Sequence, residues 1–261
     1  MIVNRFRTIP SFRVTAEHFA CGTAFLAPAG NETTVDPENR VVKMTEAQII
    51  EKRRLPSPAP TPQALAWDGK NNVLWMGSRD LRRIYAIDPE NWTLLEEKEA
   101  PGIPWAAVTT NGEVRFTIGE GANDDRYVYR YTPEAGFSKV FACPEFTGSY
   151  LSFDGSNLYL SQWYKHRVLK FDANGTVIRE IDVGAEICGH TFAESSLYVL
   201  RGQEQPNEDW RIARLDPQQK TARVEDIAFV PFACRSLTFD GERFWSNYRA
   251  KDTIISFALP N

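Results

Sequence analysis

Apolar residues in this chain fall in short runs separated by polar turns, and the order of the runs repeats. The clearest copy opens on Phe153-Asp154-Gly155 and Leu158-Tyr159-Leu160. It continues through Arg167-Val168-Leu169-Lys170-Phe171-Asp172 to Val177-Ile178-Arg179-Glu180-Ile181. Runs this short, bounded by turn residues, predict strands rather than helices. Equivalent anchors stand at Phe19, Trp67, Thr110, Phe153, Phe192 and Phe239. Their spacing of roughly 44 residues is the period of a four-stranded propeller blade. Asp68-Gly69, Asp154-Gly155 and Asp240-Gly241 each follow an anchor, and Asp-Gly suits the tight hairpin that joins an innermost strand to the second.

Second and third strands are apolar on both faces, as in Leu74-Trp75-Met76 and Ile84-Tyr85-Ala86-Ile87, whereas outer strands such as Val177-Ile178-Arg179-Glu180 carry charge. That gradient fits inner strands buried between neighbouring blades and outer strands facing water. The expectation is one all-β domain, residues 1–261, folded as a six-bladed propeller. Five blades is the alternative, because the first copy, residues 12–56, is the least regular. In that copy Ile49-Ile50-Glu51-Lys52 aligns with the outer strands. The last copy ends after three strands, and Ile2-Val3-Asn4-Arg5-Phe6 resembles a missing fourth that would close the ring.

A chain that is 43% hydrophobic and 25% charged has ample core for a soluble fold. Net charge is −4 with Lys and Arg scattered, which argues against a nucleic-acid partner. No apolar run approaches the roughly 20 residues of a membrane helix. Met1 to Pro10 contains no apolar signal core, and Cys21, Cys143, Cys188 and Cys234 form no C-x-x-C pair. A cytoplasmic protein with reduced thiols is the expectation. Three of the cysteines sit in a repeated Phe-Ala-Cys and read as small buried residues at blade joints, or alternatively as a metal ligand or nucleophile. Nothing in the composition speaks to oligomeric state.

In a propeller, the outer-to-inner loops and the second-to-third connections converge on one end of the central channel. Here they hold Gln63, Trp105, Tyr150, His190 and Arg235, together with Arg79, Trp163, Arg201, Tyr248 and Arg249. Arginine forks suit carboxylate or phosphate, and aromatic rings add apolar area. The set predicts a channel-end pocket for a small anionic or aromatic molecule. Alternatively, these arginines simply pair with nearby acids. Glu17 and His190 stand where the other copies hold Leu or Val. Each reads either as a proton-transfer group or as a satisfied polar residue, with Glu17 exposed by a one-residue slip in the alignment. The acidic connection Glu120 to Arg126 could offer oxygen ligands to Ca²⁺ but lacks EF-type spacing, so a solvated loop is expected. The longer connection Arg201 to Trp210 is a lid candidate.

Leu158-Tyr159-Leu160-Ser161, His166 to Asp172 and Gly175-Thr176-Val177 resemble the blade consensus of NHL-type and streptogramin-lyase-type propellers. Similarity to regucalcin and gluconolactonase-like propellers implies a divalent metal held by a first-blade Glu, matched by Glu17, with later Asn and Asp ligands that find no counterpart here. Similarity to the streptogramin lyases implies a channel histidine, matched by His190, and a metal, on a seven-bladed ring. Thr61-Pro62-Gln63-Ala64-Leu65 is similar to a motif of the five-bladed glutaminyl cyclotransferases. Lyase or hydrolase chemistry on a small molecule is the enzymatic expectation. A non-catalytic scaffold for a protein or peptide is the competing one.

Overall fold

A computed structural model describes residues 47–260. Glu17, Phe19, Cys21 and Ile2 to Phe6 lie outside the described residues. Within them, strands β1 to β20 form five four-stranded antiparallel sheets. Blade I comprises β2 (Pro62–Asp68), β3 (Val73–Ser78), β4 (Arg83–Asp88) and β5 (Thr93–Glu99). Blade II comprises β6 (Ile103–Thr110), β7 (Glu113–Glu120), β8 (Asp125–Thr132) and β9 (Gly136–Ala142). Blade III comprises β10 (Leu151–Phe153), β11 (Leu158–Gln162), β12 (Arg167–Phe171) and β13 (Val177–Asp182). Blade IV comprises β14 (Glu186–Ala193), β15 (Ser196–Gln203), β16 (Asp209–Leu215) and β17 (Glu225–Val230). Blade V takes β18 (Cys234–Phe239), β19 (Phe244–Tyr248) and β20 (Thr253–Ala258), and its outer strand is β1 (Ile50–Pro56).

The turns follow from their aspartates. Asp154 Oδ1 accepts from the backbone N–H groups of Ser156 and Asn157, and Asp240 Oδ1 from those of Glu242 and Arg243. These are Asx turns. Gly155 and Gly241 take the positive φ at 92° and 100°, whereas between β2 and β3 Asn72 takes it at 55°. Burial then follows strand position. Leu74, Met76, Ile84 and Ile87 are buried while β5 is almost wholly exposed, because only inner strands have a blade on each face.

The ring has five blades, so the six-blade expectation is corrected in favour of its alternative. Each innermost strand packs on the next, and β18 of the fifth blade returns to β2 of the first. At that joint Ser236 Oγ donates to Leu65 O at 3.3 Å, and Thr238 Oγ1 accepts from Trp67 N at 2.9 Å. A closed circle of five inner strands leaves no slot for a sixth.

Ring closure is also reassigned. The place expected for Ile2 to Phe6 is filled by β1, which pairs antiparallel with β20 from Ile50↔Ala258 to Pro56↔Thr253. The segment assigned to the first copy as its outer strand is instead the last blade's. It then leads through residues 57–61 into β2, the same outer-to-inner connection every other blade uses. One outer strand looks like another in sequence, and only pairing with β20 distinguishes them.

Candidate functional site

The outer-to-inner loops and second-to-third connections meet at one end of the channel around a cavity of about 450 Å³. Innermost strands reach it through irregularities. The register of β2 shifts between Pro62 and Ala64, and that of β6 between Pro104 and Ala106. The extra residues are Gln63 and Trp105, and both line the cavity. A bulge re-aims one side chain without disturbing the rest of its strand. The sequence carried a signal for this, since Pro62-Gln63-Ala64 and Pro104-Trp105-Ala106 share a pattern.

Seven of the expected residues converge on this cavity: Gln63, Arg79, Trp105, Tyr150, Trp163, Arg235 and Arg249. Sequence reasoning missed several others that line it, among them Asp124, Arg126, Ser149 and Glu204. Asp124 and Arg126 belong to the acidic connection read as a solvated loop. There Trp105 Nε1 donates to Asp124 Oδ1 at 2.8 Å, and Arg126 pairs with Asp124 Oδ2 at 3.0 Å. Gly119 permits this approach, because a Cβ there would collide with Asp124 Oδ1. The Arg126 guanidinium lies 4.2 Å from the Trp105 ring and that of Arg79 5.8 Å, within cation–π range.

The cavity wall is cationic although the chain is acidic overall. Arg79, Arg126, Lys165, Arg235 and Arg249 face two carboxylates, Asp124 and Glu204. Four of these cations have a carboxylate partner: Arg79 with Asp80, Arg126 with Asp124, Lys165 with Glu145, and Arg235 with Glu204 and Glu208. Arg235 is buried, and its Nη2 donates to Glu204 at 2.5 Å and to Glu208 at 2.8 Å, while Nη1 donates to Cys234 O. Arg249 differs. Among the described residues its side chain has no carboxylate partner in a salt bridge, and its one side-chain hydrogen bond runs from Nη1 to Gln63 Oε1 at 2.6 Å. Burial, followed by the like charges of Arg235 and Arg79, lowers its pKa from the ordinary arginine value. The turn carrying it is fixed by Asp252 Oδ1, which accepts from Thr61 N at 2.8 Å across the ring closure.

His190 sits behind the cavity rather than in its lining, with its imidazole fully engaged. A carbonyl oxygen only accepts, so Nε2 carries the hydrogen donated to Tyr150 O at 3.1 Å. In the neutral ring Nδ1 is then the acceptor for Ser152 Oγ at 2.7 Å. Burial lowers its pKa to about 4. Arg201 and Tyr248 also lie away from the cavity. Arg201 forks onto Asp226 at 2.7 and 2.8 Å, and Tyr248 packs on Phe232 and beneath Arg54. The Arg201 to Trp210 connection contributes Glu204 to the wall. Cys143, Cys188 and Cys234 are buried free thiols, and burial pushes Cys143 up to about 12.

Among the described residues no three His, Cys, Asp or Glu side chains converge as a metal-ligand set. Glu17, the ligand implied by similarity to the lactonases, lies outside the described residues. No helix among the described residues is long and apolar enough to cross a membrane.

No family model and no curated sequence matches this chain. Solved structures do. The glutaminyl cyclase of Myxococcus xanthus superposes with a TM-score of 0.63 at 10% identity, over 82% of this chain and 98% of that one. A gluconolactonase of Xanthomonas campestris gives 0.60 at 12%, over 83% and 85%. The calcium-binding protein regucalcin of Agrobacterium tumefaciens gives 0.52 at 11%, over 80% and 94%. At these identities the likeness defines the fold alone: the chain is a β-propeller.

Proposed function

We propose that the channel-end cavity binds a small anionic molecule with a flat apolar body. One observation carries this reading: Arg249 projects a cationic fork into the cavity with only a neutral amide as its partner. A half-buried guanidinium beside two others gains most from an anionic ligand. Trp105, Tyr150 and Trp163 supply rings for the rest of the molecule. Melting the full chain against a panel of small carboxylates, phosphates and sulfonates tests it. A bound anion raises Tm progressively as its concentration exceeds its Kd, and Arg249→Met removes the rise. If no anion in the panel shifts Tm, the reading fails.

Gln63 favours one enzymatic version over the alternatives. It lies in the Thr61–Leu65 segment that is similar to the glutaminyl cyclotransferases, and it faces the cavity on a five-bladed ring. In that version a glutaminyl amine attacks its own side-chain amide carbon and ammonia leaves. The direct test is ammonia release from a glutaminyl dipeptide, compared with Arg249→Met. The proton-transfer role expected of His190 is not part of this proposal, since both its ring nitrogens are occupied by the protein.

A further inference from the structure

The orientation of one amide decides what the cavity can read. Arginine has donors only, so Arg249 Nη1 at 2.6 Å identifies the Gln63 atom it meets as the carbonyl oxygen. Gln63 Nε2 must then point the other way. It lies 3.3 Å from Trp105 O and 3.2 Å from Tyr150 Oη. Trp105 O is an acceptor, which agrees with that orientation. Tyr150 Oη therefore accepts from Gln63, and its own hydrogen is directed elsewhere. No acceptor for that hydrogen is present among the described residues.

The same holds for the other edge of Arg249. Nη1 is engaged by Gln63, whereas Nε and Nη2 make no hydrogen bond among the described residues. This edge is the side-on fork that matches the two oxygens of a carboxylate. The Tyr150 ring cannot turn away easily. Its backbone N donates to Ser161 Oγ at 3.0 Å, its backbone O accepts from His190, and its side chain is buried. Burial also raises the Tyr150 pKa above the ordinary phenol value, which keeps the hydroxyl protonated.

We infer that Gln63 is a positioning residue that turns the Tyr150 hydroxyl and the Nε–Nη2 edge of Arg249 into a donor-only receptor, and that this receptor selects a carboxylate over the corresponding primary amide. Resting on the anion-binding reading above, it names the ligand class of that site. A carboxylate offers acceptors to every donor. A primary amide presents an N–H₂ to at least one of them and leaves donors facing donors.

The test uses phenylacetate and phenylacetamide, which match in size and differ in that one group. Calorimetric titration of the full chain should show phenylacetate bound at least about 100-fold more tightly, as expected when an ionised acceptor is lost and a donor clash is added. Tyr150→Phe keeps the ring and should weaken phenylacetate about 10- to 100-fold while leaving phenylacetamide nearly unchanged. Gln63→Glu should abolish phenylacetate binding, because the new carboxylate neutralises Arg249 and takes the Tyr150 hydrogen. A purely structural role would weaken both ligands alike, and circular dichroism checks the fold of each variant.

Equal affinity of the wild-type chain for the two ligands overturns the inference without any variant. So does a carboxylate-to-amide ratio unchanged in a folded Tyr150→Phe. If the wild-type chain binds neither phenylacetate nor any anion of the panel, the anion-site reading itself is lost.

Discussion

Ser152 and His190 join two blades through a buried hydrogen bond of 2.7 Å, with Ser152 on the innermost strand of blade III and His190 on that of blade IV. The imidazole completes the link by donating to Tyr150 O, so one side chain ties the neighbouring blade in two places. A residue that looked catalytic because it interrupts an apolar register is accounted for by this bridge.

The bridge has a pH signature. His190 is neutral when folded, with a pKa lowered from 6.5 to about 4 by burial. Between those values the unfolded chain binds the extra proton, so stability rises with pH through the window. The stabilisation is present above about pH 6.5 and is lost as pH falls to about 4, amounting to about 3 kcal/mol. Denaturant melts at pH 4.5 and pH 7.5 should show a difference that shrinks in His190→Gln. An unchanged difference would assign the pH dependence to other groups.

Gly119→Ala should drive Asp124 away from Trp105 at a cost of about 1–3 kcal/mol, the usual penalty for overpacking. Trp105 and Asp124 both line the cavity, so anion-induced Tm shifts should shrink as well. Adding Asp124→Ala should recover part of the stability, because the nearer of the two colliding side chains is gone and only Trp105 Nε1 remains too close. Additive losses in the double variant would contradict the collision.

Arg235 is buried while its two acids are partly exposed. Glu204→Gln or Glu208→Gln alone leaves it one carboxylate and should cost about 1 kcal/mol. The double variant strands a buried guanidinium and should cost about 3–5 kcal/mol, more than the sum of the singles. A double-mutant cycle by urea unfolding reads this coupling directly.

Leu55 on β1 packs against the cluster formed by Leu65, Tyr85, Trp245 and Ile254 at the ring closure. Leu55→Asp should destabilise the protein by about 2 kcal/mol, combining lost apolar burial with a desolvated charge. A melt unchanged by this substitution would mean that β1 is not the closing strand.

Native Cys143, Cys188 and Cys234 should resist thiol-specific alkylation. Burial holds Cys143 and Cys188 well above the ordinary thiol pKa, and Cys234 is buried too. Mass-spectrometric mapping should find these sites unmodified in the folded chain and fully labelled in urea. Rapid labelling at any of them without unfolding would show that the wall around it opens.

Much of the fold was legible because its determinants are local. Asp154-Gly155 and Asp240-Gly241 specify their turns through contacts within a few residues, and inner strands such as β3 and β4 announce two-sided burial in their own composition. The end of the channel that carries the cavity was legible for the same reason, since loop order follows strand order. Individual roles were not. Trp105, Arg235 and Arg249 sit on the wall, but Arg201 is consumed by Asp226 and Tyr248 faces Phe232 and Arg54. The spacing of an arginine along the chain does not reveal which carboxylate will reach it.

By itself the sequence determined a β-propeller of four-stranded blades with a cavity at the loop end, because strand period and turn chemistry are written into neighbouring residues. Blade number, ring closure and the character of the site were decided by tertiary structure. Ile50–Pro56 belongs to the last blade because β20 offers it an open edge, a partner about 200 residues away that no local pattern identifies. Arg249 stands out because its hydrogen-bond partner across that same closure is a neutral amide, Gln63, with the like charge of Arg79 acting from the same blade as Gln63. Such an environment is assembled only when the ring shuts.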